Sequence, residues 1–211
     1  MNEREALLRA VCDNPDEDTP RLVFSDWLQE NGEEERAEFI RLQCQTANLP
    51  VASSARQHRE NIINSLLHIH GQTWYCELPT GDGYRWGETF IRGFVADLTV
   101  LEVLPERSLE KLLDASPVTS LIVNCVRLQW EVLSECGYLD RLRVVTIDST
   151  CVDSHVHAVC KIGPWPRLEK FVIAGTVTED RRYLTISQYA ADSLRNAFCG
   201  RLRLPPRGHM L

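Results

Sequence analysis

The chain has 211 residues, 44% of them apolar, and a formal net charge of -7. That length holds one large or two small domains with a core of ordinary size, and no apolar run reaches membrane-spanning length. The acidic balance argues against a generic nucleic-acid binder, whose affinity comes from Lys and Arg neutralising phosphates.

The charge is uneven, because residues 1–60 carry 13 Asp and Glu against 7 Lys and Arg. The start Met1-Asn2-Glu3-Arg4-Glu5 lacks the basic and apolar stretches of a signal peptide, so a cytoplasmic location is expected. The eight cysteines form no Cys-x-x-Cys pair and no disulfide framework. Reduced, mostly buried thiols are the expectation.

In chain order, Ala6, Leu7, Leu8, Val11 and Cys12 fall at helical spacing and predict a short helix that ends at Asn14-Pro15. Thr19 as cap and Pro20 as first residue predict the next helix, which buries Leu22, Val23, Phe24, Trp27 and Leu28 and stops at Asn31-Gly32. Glu33, Glu34 and Glu35 suit the positive end of a third helix, with Ala37, Phe39, Ile40, Leu42 and Cys44 inside. A fourth helix is predicted from about Ser54 to His70 on Ile62, Ile63, Leu66, Leu67 and Ile69. Pairing of Asp26 with Arg21 and of Glu38 with Arg41 is expected to tie these helices together.

Residues 71–94 are aromatic and turn-rich, with Trp74, Tyr75, Tyr84, Trp86 and Phe90, and read as a cap over the open edge of a repeat array, with a ligand cradle as the alternative. One apolar phrase then recurs four times: Val95-x-x-Leu98-x-Val100, Val118-x-x-Leu121-x-Val123, Leu142-x-x-Val145-x-Ile147 and Leu168-x-x-Phe171-x-Ile173. Its starts lie 23, 24 and 26 residues apart, the period of a strand-plus-return repeat. Later slots keep step, with Leu109, Val132 and Val156 in one set and Leu113, Cys136 and Cys160 in the other. That spacing predicts a strand, a turn and a short helix per unit. The pattern is lost after Gly175-Thr176, and a closing helix over 187–198 is predicted on Tyr189, Ala190, Leu194, Ala197 and Phe198. From Gly200 onward the basic, proline-containing end reads as a loose tail.

The expected fold is therefore mixed α/β. A small helical bundle over 1–70 and an aromatic junction over 71–94 precede a short leucine-rich-repeat-like solenoid of parallel strands with a C-terminal capping helix over 95–200, and a tail over 201–211.

The segment from Thr19-Pro20-Arg21-Leu22-Val23-Phe24-Ser25-Asp26-Trp27-Leu28 to Asn31-Gly32, followed by Arg36-Ala37-Glu38-Phe39-Ile40-Arg41-Leu42-Gln43, resembles the repeat-companion domain. That N-terminal module is expanded in planctomycete bacteria such as Gemmata and precedes leucine-rich-like repeats. Trp74 and Trp86-x5-Arg92-Gly93-Phe94-Val95 are similar to the junction by which such proteins enter their repeats. Phe24-Ser25 stands where Tyr-Ala is usual in the family. The resemblance implies a bacterial scaffold and carries over no catalytic residue. Solenoids of this kind present their strand face to protein partners, here through Asp97, Thr99, Ser120, Ile122, Val144, Thr146, Lys170 and Val172.

A non-enzymatic module binding a protein is the expected function, with no cofactor and neither a membrane nor a small-molecule substrate as partner. An alternative is a metal- or thiol-dependent enzyme on Cys151-x3-His155-x-His157-x2-Cys160, with Asp153 beside it. Against it, Cys160 shares the core slot of Leu113 and Cys136. A further alternative is a regulatory subunit of a neighbouring bacterial effector system. Gly81-Asp82-Gly83 reads as a turn, not as a phosphate cradle.

Overall fold

The computed structural model describes residues 2–124, 130–135, 137–148, 152–162, 165–173, 188–198 and 202–203. In order, the elements are α1 (Glu3–Asp13), α2 (Asp18–Glu30), α3 (Glu34–Ala47), α4 (Ser54–Cys76), β1 (Tyr84–Trp86), β2 (Phe90–Ile91), β3 (Phe94–Val95) and β4 (Asp97–Val100). Next come α5 (Glu106–Ala115), β5 (Ser120–Val123), α6 (Trp130–Glu135), β6 (Val144–Ile147), α7 (Val152–Ile162), β7 (Lys170–Ile173), α8 (Gln188–Ala197) and β8 (Leu202–Arg203). The chain is mixed α/β and forms two compact units. One comprises Met1–Gly81, Glu88–Ala96 and Lys111–Pro117; the other comprises Asp82–Gly87, Asp97–Glu110 and Val118–Leu211. No helix among the described residues is long and apolar enough to cross a membrane.

In the first unit, Asn2 caps α1 reciprocally. Its Oδ1 accepts from the Glu5 N–H at 2.8 Å and Glu5 Oε2 accepts from the Asn2 N–H at 3.0 Å, which satisfies two donors that a helix start leaves open. α2 begins ahead of the predicted cap. Glu17 is the cap residue and makes no side-chain bond, so Thr19 and Pro20 lie in the first turn, where N–H groups lack intrahelical acceptors and proline is tolerated.

α4 runs past its expected end at His70, through Gly71 to Cys76, because Trp74 is buried against Phe39 with ring centroids 4.7 Å apart. Burying a large aromatic outweighs the loss of about 1 kcal/mol from a helical glycine. Ile69, expected inside, is 68% exposed, being one residue off the Ile63, Leu67, His70, Trp74 stripe. Asp26 takes Arg41 as its partner, at 2.7 Å, and not Arg21. The core joins Val11, Phe24, Leu28, Ala37, Ile40, Cys44 and Phe94, with Phe39, Ile63 and Trp74 beside them.

β2 and β3 pair antiparallel around Arg92-Gly93. Both loop residues have positive φ, 49° and 92°, as a tight two-residue hairpin turn requires. Arg21 Nε donates to the Arg92 carbonyl at 3.2 Å, and Gln43 accepts from the Gly93 N–H at 2.6 Å while donating to the Phe90 carbonyl at 3.2 Å. Arg92 Nη1 donates to the Asp16 carbonyl at 2.7 Å. Gly93 lies on α3, so close that a Cβ there would stand 2.5 Å from Ile40 Cγ1 and 3.1 Å from Ile40 Cα.

The second unit is built on a sheet of order β1-β4-β5-β6-β7-β8. β1 lies antiparallel on β4, and the other neighbours are parallel. Asp97, Ser120, Val144 and Lys170 are successive cross-strand partners, at separations of 23, 24 and 26 residues. The recurring phrase is thus the pairing register. Leu98, Val100, Leu121, Val123, Val145, Ile147 and Phe171 have 0% exposure and Ile173 has 2%, the single inward face that a two-residue period produces. Each such side chain contributes about 1.5–3 kcal/mol by leaving water.

The aromatic stretch is divided: Tyr84 to Trp86 take the free edge of β4, whereas Trp74 and Phe90 belong to the first unit. Leu109, Leu113 and Val156 are buried as expected. Cys160 is a correction, being half-buried, because α7 turns Val156 and Val159 inward, at 1% and 0% exposure. Leu194 and Phe198 anchor the closing helix, Phe198 stacking on Phe171 at 5.0 Å, while Ala197 faces out. Leu202 and Arg203, expected in a loose tail, pair with Phe171 and Val172. Cys136, Gly175, Thr176 and residues 178–182 lie outside the described residues.

Gly93→Ala combines positive φ with collision against the Ile40 backbone, whereas Gly32, at φ 83°, has nothing within 4 Å. Urea unfolding is expected to show a loss of about 1–2 kcal/mol for Gly32→Ala and a loss larger by at least about 2 kcal/mol for Gly93→Ala. Equal losses would mean that the hairpin is not seated on α3.

Candidate functional site

The eight strand-face residues fall into two rows. Asp97, Ser120, Val144 and Lys170 are partners across β4 to β7, and Thr99, Ile122, Thr146 and Val172 form the row beside them. Arg85 of β1 pairs with Thr99 and extends the second row. Lys170 is exposed and the other seven are half-buried. At about 4.8 Å between strands and about 6.6 Å between alternate residues, the rows outline a patch of roughly 14 by 7 Å. Asp97 and Lys170 set opposite charges at its two ends.

Of the 151–160 cluster, the described residues His155, His157 and Cys160 lie on α7. Cys151 lies outside the described residues, and His155 and His157 are two apart on α7, a spacing that points side chains to different sides. His155 is 2% exposed, and its Nδ1 accepts from Trp130 Nε1–H at 3.0 Å; His157 is exposed. Burial pushes the Cys160 thiol up, away from the thiolate that nucleophilic or metal chemistry needs. Among the described residues no group of three or more His, Cys, Asp or Glu is placed to hold a metal.

A second candidate site lies in the first unit, where Trp74 and Phe90 of the aromatic stretch meet Arg36, a residue that the sequence did not single out. Arg36 is 7% exposed, and its guanidinium carbon stands 4.9 Å from the ring centre of Trp74, 5.4 Å from Phe90, 5.5 Å from Phe94 and 5.6 Å from Phe39. Nη1 is buried without a hydrogen-bond partner. The side chain lines a cavity of about 310 Å³ together with Arg4, Phe24, Trp74, Glu77, Phe90 and Phe94. Arg4 stacks over Phe24 and Trp27, 5.9 Å from each centre, and contacts Glu33 and Glu77. The readable signal was phase: Arg36 precedes Phe39 and Ile40 by three and four residues and shares their buried stripe.

Stripping a cation of water costs several kcal/mol, while ring faces return about 0.5–2 kcal/mol apiece and share one guanidinium. Burial prevails and lowers the Arg36 pKa to about 10, with the charge of Glu77 opposing the shift. Arg36 is still a cation at neutral pH. Because its folded value lies below the unfolded one, this group costs stability below pH about 10 and the cost fades as pH rises through that value. Glu77 responds in kind, its carboxyl raised by burial against the pull of Arg36 and Arg4.

Burial, then the neighbouring Asp18, pushes the Cys44 thiol up to about 12, whereas Cys76 is exposed. Iodoacetamide at mild alkaline pH, followed by peptide mass mapping, is expected to label Cys76 well before Cys12, Cys44 or Cys160; comparable rates for Cys44 would contradict its burial. No protein-family model, no curated protein and no solved structure matches this chain.

Proposed function

We propose that the chain is a non-enzymatic protein-interaction module of the bacterial cytoplasm. A repeat-companion-type helical module stands before a short leucine-rich-repeat-like solenoid, and the solenoid binds a protein partner through its strand face. The supporting observation is the coincidence of the 23-, 24- and 26-residue phrase with the parallel pairing of Asp97, Ser120, Val144 and Lys170. Parallel sheets are ordinarily covered on both faces, yet the row Thr99, Ile122, Thr146, Val172 is only half-buried.

The chemistry of that row suits docking. Thr, Ile and Val are stiff at the first side-chain torsion, so holding them against a partner costs little entropy. Asp97 and Lys170 at the ends would set the direction in which a partner of complementary charge lies.

The test is capture of partners by the full chain, repeated with Thr99→Arg, Ser120→Arg, Thr146→Arg and Lys170→Glu. A partner seated on the face loses at least about tenfold in affinity with Thr146→Arg, without a change in melting temperature beyond a few degrees. If all four substitutions leave every association unchanged, the face is not the binding surface.

A further inference from the structure

We infer that the cavity beside Arg36 is a binding site for one carboxylate carried on an apolar body. The inference stands on the first unit alone and is independent of the strand-face reading. A volume of about 310 Å³ lies at the small end of ligand pockets, roughly 300–1,000 Å³. Its aromatic and aliphatic walls are interrupted by the guanidinium groups of Arg36 and Arg4, the carboxylate of Glu77 and the hydroxyl of Ser116, the last already donating to the Val95 carbonyl.

Arg36 supplies the argument. A buried cation is normally paired, and Arg4 already has Glu33 and Glu77, but Arg36 is held by ring faces with Nη1 unpartnered. Ring faces offset part of the charge but do not replace a carboxylate, which accepts the N–H donors of a guanidinium in a fork. Glu77 is the internal carboxylate nearest to that role. It is 42% exposed at the side chain and its contact with Arg4 is long, at 3.5 Å, so an entering carboxylate displaces a weakly held competitor. The apolar part of the ligand then packs on Trp74 and Phe90. Both an arylalkanoic acid and a peptide ending in a free apolar residue carry this chemistry.

The full chain is titrated with 3-phenylpropionate and with its neutral amide, by calorimetry and by the NMR shift of the Trp74 indole N–H. The acid is expected to bind at least about tenfold more tightly than the amide, the scale of a hydrogen bond to a charged group. Arg36→Met abolishes the preference. Glu77→Gln, which removes the competitor from an exposed position, raises affinity for the acid by roughly threefold and leaves the amide unchanged. Peptides ending in phenylalanine, free and amidated, separate the two sources: tight binding of the free peptide assigns a chain end, and binding of 3-phenylpropionate alone assigns a small acid. Equal affinity for acid and amide, absence of binding by all four probes at millimolar concentration, or a preference that survives Arg36→Met overturns the inference. If Arg36→Met does not fold, Glu77→Gln and Arg4→Gln decide it, the latter expected to weaken binding of the acid. No change in either overturns it.

Discussion

The seat of Gly93 on α3 is the constraint on which the first unit depends. A two-residue turn with both φ values positive lets β2 and β3 reverse within the width of one helix contact, and only a residue without Cβ fits against Ile40 at that distance. Arg21 and Gln43 then hold the turn by its backbone. Residues 90–95 thus supply the turn, and Arg21 of α2 and Gln43 of α3 supply its clamp.

The same seating creates the Arg36 environment. Phe90 and Phe94 flank the turn and reach the guanidinium that Phe39 and Trp74 already face. A cation with four rings about it and a donor left unpaired is an expensive arrangement for stability alone. Arg21 offers the contrast. It is 3% exposed and its pKa is also lowered by burial, yet it donates to the carbonyls of Arg92, Asn14 and Glu17. Arg21 is a structural clamp whose bonds explain its burial; Arg36 has ring contacts that do not complete its hydrogen bonding.

The second unit depends on a different economy. Its parallel ladder is extended by the same phrase on each strand, so inward positions are filled by apolar side chains of alternating residues and the outward positions are freed from the core. That freedom is what allows Asp97, Ser120, Val144 and Lys170 to differ in charge and polarity while their neighbours Leu98, Leu121, Val145 and Phe171 are all apolar. In α7 the same packing demand places the described residues of the cysteine and histidine pattern: Val156 and Val159 claim the inward face, His155 meets Trp130 and Cys160 is left at the margin.

By itself the sequence determined the order of α1 to α4 and of the strands β4 to β7, the register of their parallel ladder and the C-terminal ends of α1 and α2, because these follow from local codes: a period of 2 or 3.6 residues, and breakers such as Asn14-Pro15 and Asn31-Gly32; the short strands β1 to β3 and β8 carry no such period. It also contained the phase that buries Arg21 and Arg36, one turn before Phe24 and Phe39, although charge alone argued for the surface. Only the tertiary structure decided what those two arginines meet, that Asp26 takes Arg41, that Trp74 prolongs α4, and that the aromatic stretch is shared between β4's edge and the Arg36 cavity. The reason is distance along the chain. A side chain's own face is set by its neighbours in sequence, but its partners are set by where remote segments dock, as Gly93 docks on Ile40 and brings Phe90 and Phe94 to Arg36.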